Sequence, residues 1–291
     1  MITGIDHTVV VAESLAEAAV TAGRLGFRTT PPAQHPFGTA NTLVQLRGAY
    51  LEHLAIVDES LFPEERPDRY SFPSFNRDFL IGEGAGIAKL ALKTDDPEAL
   101  TAHLAAQGLS RYPTFSFERT AQAPDGSELP VSFTLAFASH PDLVRAGIFA
   151  LRHNHAPDNF WHAAYQTHPN TAETLLRVTM VSPNPERTEA MLAAITGVAP
   201  TREDWGALIT LADGSGIELV DTAAFAARYG SDAFDGKVVS RFAAMTFGVR
   251  DPDATRAALT AGSVPFTENG NAILVAPIDG GGVSYRFVPA S

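Results

Sequence analysis

The 291-residue chain reads as an α+β protein: four βαβββ modules paired into two open, curved sheets with helices outside. A fourfold repeat and the extended segments that follow each copy predict this class. Taking His7, Lys89, Arg177 and Ala244 as register points, the helix caps Ser14, Asp96, Asn184 and Asp251 each lie seven residues on. Gly26, Gly108, Gly197 and Gly262 follow those caps by 12, 12, 13 and 11 residues.

Each copy opens on an apolar strand: Ile5 to Val11, Ile87 to Leu92, Leu176 to Val181 and Phe242 to Val249. The cap then offers a side-chain oxygen to free helical N–H groups, and Pro97, Pro185 and Pro252 occupy the first helical position, where a missing N–H costs nothing. About three helical turns end at a glycine suited to the left-handed conformation. In the first unit the extended segments are Phe27 to Thr30, Thr42 to Leu46 and Tyr50 to Val57; in the second they are Phe115 to Arg119, Ser132 to Phe137 and Ile148 to Arg152. The third closes with Ala207 to Leu211 and Gly216 to Val220, the fourth with Ala272 to Ala276 and Val283 to Val288, across Asp213-Gly214 and Asp279-Gly280.

One module leaves a sheet face bare, so modules must pair to enclose it. The expected layout is an N-terminal domain over residues 1–153, with modules 1–57 and 86–153 around a connector 58–85. A linker spans 154–171, and a C-terminal domain spans 172–291, with modules 172–225 and 238–291. The length and a hydrophobic content of 45% supply two ordinary domains.

A net charge of -12 argues against nucleic acid or an anionic membrane as partner. With no cysteine there are no disulfides, thiolate ligands or cysteine nucleophile. No apolar run reaches membrane-spanning length and none marks a signal region, so a soluble, cytoplasmic protein is expected. Four modules in one chain permit a monomer, while exposed sheet edges permit a homodimer.

The connector 58–85 carries Tyr70, Phe72, Phe75 and Phe79, which either fold back over a domain surface or form a lid. The linker holds His155, His162 and His168; their spacing puts them on no common helical face, and packing and hydrogen bonding account for them better than a metal does.

Period-two alternation places His7, Val9 and Val11 on one face of the opening strand and Tyr50, Glu52 and Leu54 on one face of the closing strand. A histidine and a carboxylate on neighbouring strands, facing one hollow, form half of a nitrogen/oxygen divalent-metal site. The competing reading is a core histidine hydrogen-bonded to Glu52.

The ordered set Gly4-Ile5-Asp6-His7, His35 through Asn41, Tyr50-Leu51-Glu52, Arg119 with Pro124-Asp125-Gly126, and the linker residues Phe160-Trp161 and His168-Pro169-Asn170 resembles the vicinal oxygen chelate superfamily. Within it the chain is similar to glyoxalase-like domain proteins (the glyoxalase, bleomycin resistance and extradiol dioxygenase fold). The resemblance implies a cavity holding a divalent ion (zinc, manganese, iron or nickel) and a small oxygen-rich substrate undergoing isomerase, lyase or dioxygenase chemistry. On that pattern His7 and Glu52 occupy two ligand positions, and His35 is the candidate for a third unless it serves only its turn. Glu52 and Lys89 are the candidate catalytic groups. Lys89, at the position matching His7, acts as base or anchor, or lies in an ion pair. Arg119, Phe149 and Tyr50 are the candidate substrate contacts, Arg119 because its planar fork suits a carboxylate or phosphate.

In the second pair of modules the matching positions are Arg177, Glu218, Ala244 and roughly Ser284, which suit an ion pair better than a metal. The other function expected is a metal-free protein that sequesters a small aromatic or apolar ligand among Phe115, Phe117, Phe133 and Phe149. Nucleotide-binding, metalloprotease and serine-hydrolase motifs are missing.

Overall fold

The computed structural model describes residues 1–64, 66–230 and 239–290. Glu65 of the connector, and Val238 and Ser291 at the ends of the fourth module, lie outside the described residues. The first half runs β1 (Ile2–Val11), α1 (Leu15–Arg24), β2 (Ala33–Gln34), β3 (Thr39–Gln45), β4 (Tyr50–Ile56), α2 (Phe72–Glu83), β5 (Gly86–Thr94), α3 (Pro97–Ala106), β6 (Phe115–Gln122), β7 (Glu128–Phe137) and β8 (Gly147–His153). The second half runs β9 (Ala172–Val181), α4 (Pro185–Thr196), β10 (Thr201–Glu203), β11 (Gly206–Thr210), β12 (Gly216–Val220) and α5 (Thr222–Tyr229). It continues with β13 (Arg241–Val249), α6 (Pro252–Ala261), β14 (Thr267–Asn269), β15 (Ala272–Val275) and β16 (Ser284–Pro289).

The strands form two eight-stranded sheets, ordered β2-β3-β4-β1-β5-β8-β7-β6 and β10-β11-β12-β9-β13-β16-β15-β14. In each, the opening strands of two modules pair antiparallel at the centre, β1 with β5 and β9 with β13, and each opening strand runs parallel to its own closing strand. Modules therefore join through their first strands, which curves each sheet around a concavity.

The four caps act as expected. Ser14, Asp96, Asn184 and Asp251 accept from the backbone N–H groups of Glu17, Ala99, Arg187 and Ala254. Gly26, Gly108 and Gly197 take positive φ, but in the fourth unit Ser263 does so instead, at φ 53°. Gly262 is required there for another reason: a Cβ would lie 1.9 Å from the Arg24 carbonyl oxygen.

Phe27 to Thr30 is not a strand. The Arg28 N–H donates to His168 Nδ1 of the linker, and the edge strand forms later, at Ala33–Gln34. Two helices outside the repeat also appear, α2 in the connector and α5 after β12, capped by Ser71 and Asp221.

Burial divides into three clusters. The largest spans both sheets on their helix-bearing faces, joining Val10 and Leu90 to Met180 and Met245. A second, mostly aromatic, lies inside the first concavity. A third fills the second concavity with Phe225 and Tyr229 of α5.

Candidate functional site

Parallel pairing of β1 with β4 sets His7 beside Tyr50 and Val9 beside Glu52. The β1/β5 register shifts between Ile5 and His7, leaving Asp6 unopposed in a bulge. Its carboxylate reaches His7 Nδ1 at 2.6 Å and His153 Nε2 at 3.1 Å. Burial raises the Asp6 pKa, but the His153 and His7 contacts outweigh it and hold the carboxyl well below the usual range.

His35 enters from the turn before β3. Gly38 closes that turn at φ 83°, where a Cβ would meet the Asp58 carbonyl oxygen at 2.1 Å. The ring is fixed by Nδ1 to Thr39 Oγ1 at 2.8 Å and by stacking on Phe37 at 4.9 Å. Burial, opposed by the charge of Glu52, pushes the His35 pKa down to about 4, so the imidazole is neutral at pH 7.

These elements bring His7, His35 and Glu52 together. His7 Nε2 lies 3.7 Å from Glu52 Oε2, and His35 Nε2 lies 3.6 Å from Glu52 Oε1. Each imidazole turns Nδ1 outward to an oxygen partner and Nε2 toward the same carboxylate. Asn41 of β3 donates from Nδ2 to Glu52 Oε1 at 2.6 Å and sits 3.3 Å from His35 Nε2. Its Oδ1 is buried without a partner among the described residues.

The three residues line one cavity. Asn41 and Arg119 complete its polar wall, and the remainder is largely aromatic, including Phe72, Phe117, Phe133 and Phe149. Tyr50 stacks on His7 at 4.3 Å and Phe149 meets the same ring edge-on at 5.5 Å. Arg119 donates from Nη1 to the Thr120 carbonyl at 3.1 Å, whereas its Nε is buried with no partner among the described residues. Burial lowers its pKa from the usual guanidinium value, opposed by Tyr50 and Glu52.

Lys89 does not line this cavity. It is 0% exposed, donates to Asn76 Oδ1 and the Phe72 carbonyl, and lies between the Phe72 and Phe75 rings at 4.3 and 4.2 Å. Burial pushes the amine well below its ordinary pKa, and the charge of Glu52 opposes this only in part. The structure thus places Lys89 behind the cavity wall rather than on it, bonded to α2, whose Phe72 walls the cavity.

The second concavity contains an ion pair, though with another partner. Arg177 donates to the Leu176 and Gly214 carbonyls, while Glu218 pairs with Arg228 of α5 at 2.8 Å. The register also makes Arg286, opposite Thr246, the match to Glu52; Ser284, opposite Ala244, matches Tyr50. Sequence reasoning did not name His153, gave Asp6 and Asn41 no site role beyond the motifs that hold them, and placed Phe72 only in the connector. Phe72, Phe75 and Phe79 behind Ser71 carried a helical signal, and Asn41 carried one through its alternation with Leu43, the partner of Glu52. Asp6 carried none, because only the bulge turns it toward His7.

Paired βαβββ modules that curve a sheet around a His- and Glu-bearing cavity define the vicinal oxygen chelate fold. The chain belongs to the glyoxalase-like domain family, whose sequence model matches residues 5–196. No curated protein matches it in sequence. Among solved structures it is similar to a hypothetical protein from Staphylococcus aureus, with TM-score 0.65 and 14% identity over 99% of this chain and 100% of that one. It is also similar to a mutant 4-hydroxymandelate synthase from Streptomyces coelicolor, with TM-score 0.62 and 13% identity over 98% and 92% of the two chains. A fusion of a xylose isomerase-like TIM barrel with 4-hydroxyphenylpyruvate dioxygenase aligns with TM-score 0.60 and 11% identity, over 99% of this chain and 49% of that one. At these identities the likeness is one of fold. Among the described residues no helix is long and apolar enough to cross a membrane.

Proposed function

We propose that the N-terminal cavity is an active site for a small oxygen-bearing organic substrate, in which His7, His35 and Glu52 hold a divalent ion. The observation that carries this reading is the pair of imidazole Nε2 atoms flanking the two oxygens of one buried carboxylate. Among the described residues no three such side chains already close on a common point as a ligand shell. Their chemistry nevertheless fits. Asp6 and Thr39 engage the two Nδ1 atoms, which leaves for a cation the Nε2 lone pair of His7 and, once the Asn41 amide moves aside, that of His35; a carboxylate partner behind a histidine is a recurrent support for metal ligands. Zinc, manganese, iron and nickel all accept this donor set.

When bound, such an ion supplies Lewis-acid polarisation of a substrate oxygen. The chain's own residues do the rest. Glu52 is the one acidic side chain on the wall and the candidate to accept a proton from substrate. Arg119 and Asn41 orient the substrate's polar end, Tyr50 and Phe149 fix the His7 ring, and the phenylalanines exclude water, which strengthens each polar contact. Lyase, isomerase and dioxygenase reactions are the classes proposed.

A second reading, metal-free sequestration of a small apolar or aromatic ligand, is favoured by the Asn41 amide, which occupies Glu52 Oε1 beside His35 Nε2. Elemental analysis of purified protein and of His7→Ala separates the two. Near-stoichiometric metal that disappears in the variant supports the active site; metal in neither supports sequestration.

A further inference from the structure

The cavity's lining carries information about its occupant beyond the question of a metal. Arg119 is the only lysine or arginine on its wall, pairs with no carboxylate among the described residues, and keeps a buried Nε without a partner. A buried guanidinium Nε left unpaired is costly, and an anion on Arg119 would satisfy it. Arg119 and Asn41 also border a second, smaller cavity, which runs under the linker at Phe160 and Tyr165. The cation therefore stands at the junction of the two spaces, with the aromatic chamber on one side.

From this arrangement we infer that the ligand is a small aromatic monocarboxylate, its ring among the phenylalanines and its carboxylate on Arg119. The inference rests on the cavity being the ligand site, as proposed above. Charge sets the number of negative groups. One guanidinium faces the ligand, Glu52 repels it from the same wall, and Lys89, the other nearby basic residue, is sealed behind Phe72. In the chamber without its ion, a dianion would leave one charge uncompensated among apolar walls. Shape sets the ring. Phe117 lies tilted against Phe133 at 5.3 Å and edge-on to His35 at 5.8 Å, and Phe72 is edge-on to Phe149 at 5.8 Å, so the chamber presents both faces and edges to a planar guest.

The test is calorimetric titration of the full chain, both chelator-stripped and manganese-loaded, with four probes: phenylacetate, phenylacetamide, phenyl phosphate and cyclohexylacetate. On the stripped protein phenylacetate is expected to bind at least about tenfold more tightly than the neutral amide, the range one charge-assisted contact supplies, and more tightly than the dianion or the aliphatic ring. Arg119→Met should remove the preference for phenylacetate over phenylacetamide, and Arg119→Lys should restore part of it. With the stripped protein, equal affinity for acid and amide, tighter binding of phenyl phosphate, equal affinity for cyclohexylacetate, or binding of no probe overturns the inference. Failure of the metal reading is distinguishable: acid-selective, Arg119-dependent binding to stripped protein that also lacks metal on elemental analysis leaves the inference standing and removes the ion.

Discussion

Replacing His53 by leucine will flatten the acid side of the stability profile. His53 lies on β4, one residue from Glu52 but on the opposite face, where it shares a cleft with Ala18 and Thr21 of α1. It is 4% exposed, and its Nδ1 has no partner among the described residues. Burial, opposed by the charge of Glu52, lowers its pKa from 6.5 to about 4. In the unfolded chain the ring titrates near its ordinary value, so between these limits the unfolded state binds more protons and stability falls as pH falls. The contribution of the neutral ring is complete above about pH 6.5 and is lost as pH drops through about 4. At about 1.4 kcal/mol per pKa unit, the difference between 6.5 and 4 amounts to about 3 kcal/mol. His35 has a similar shift and remains in both proteins, so part of the acid sensitivity persists. Urea unfolding of metal-free protein, followed by tryptophan fluorescence from about pH 7 to about pH 4.5, gives the two profiles. His53→Leu is expected to gain on the wild type as pH falls, by up to about 3 kcal/mol. Parallel profiles would refute the reasoning, because they would mean that His53 takes up its proton without unfolding.

Two further perturbations probe the rest of the account. Arg228→Met removes the Arg228 charge beside Glu218, which is 4% exposed and among the described residues then retains Thr179 and Tyr229 as hydrogen-bond partners. Breaking a buried pair costs about 3–5 kcal/mol, and the partial exposure of Arg228 puts the expected loss near the lower end. Urea unfolding read at Trp205, whose ring lies 4.2 Å from the guanidinium, measures it; a loss below about 0.5 kcal/mol would show that the pair does not hold α5 in the concavity. Lys89→Met strips the donor from Asn76 Oδ1 and the Phe72 carbonyl, and is expected to cost about 1–3 kcal/mol in the same assay. Unchanged stability would mean that the buried amine does not secure α2.

Much of the fold was legible because each repeat states itself locally. An apolar run, a capping oxygen and a glycine act within a dozen residues, and all four helices start at the residues their caps mark. What escaped depends on distant chain. Phe27 to Thr30 has strand-like composition, but its Arg28 N–H goes to His168, some 140 positions away. Helix α5 fills the second concavity because Phe225 and Tyr229 find an apolar hollow there, which no local pattern announces. The site divides in the same way. Alternation put His7 and Glu52 on one wall, and the turn chemistry of Gly38 brought His35 to it. The sealing of Lys89 arose from the fold of the connector, and the inward turn of Asp6 from a bulge.

The central claim, that His7, His35 and Glu52 converge on one ion in the N-terminal cavity, is tested most directly by an anomalous difference map from crystals soaked in manganese or zinc. The account predicts one strong peak bounded by the two Nε2 atoms and the Glu52 carboxylate, with the Asn41 amide displaced from Oε1. A cavity without a peak, Asn41 still hydrogen-bonded to Glu52, and metal found only at surface carboxylates would contradict it.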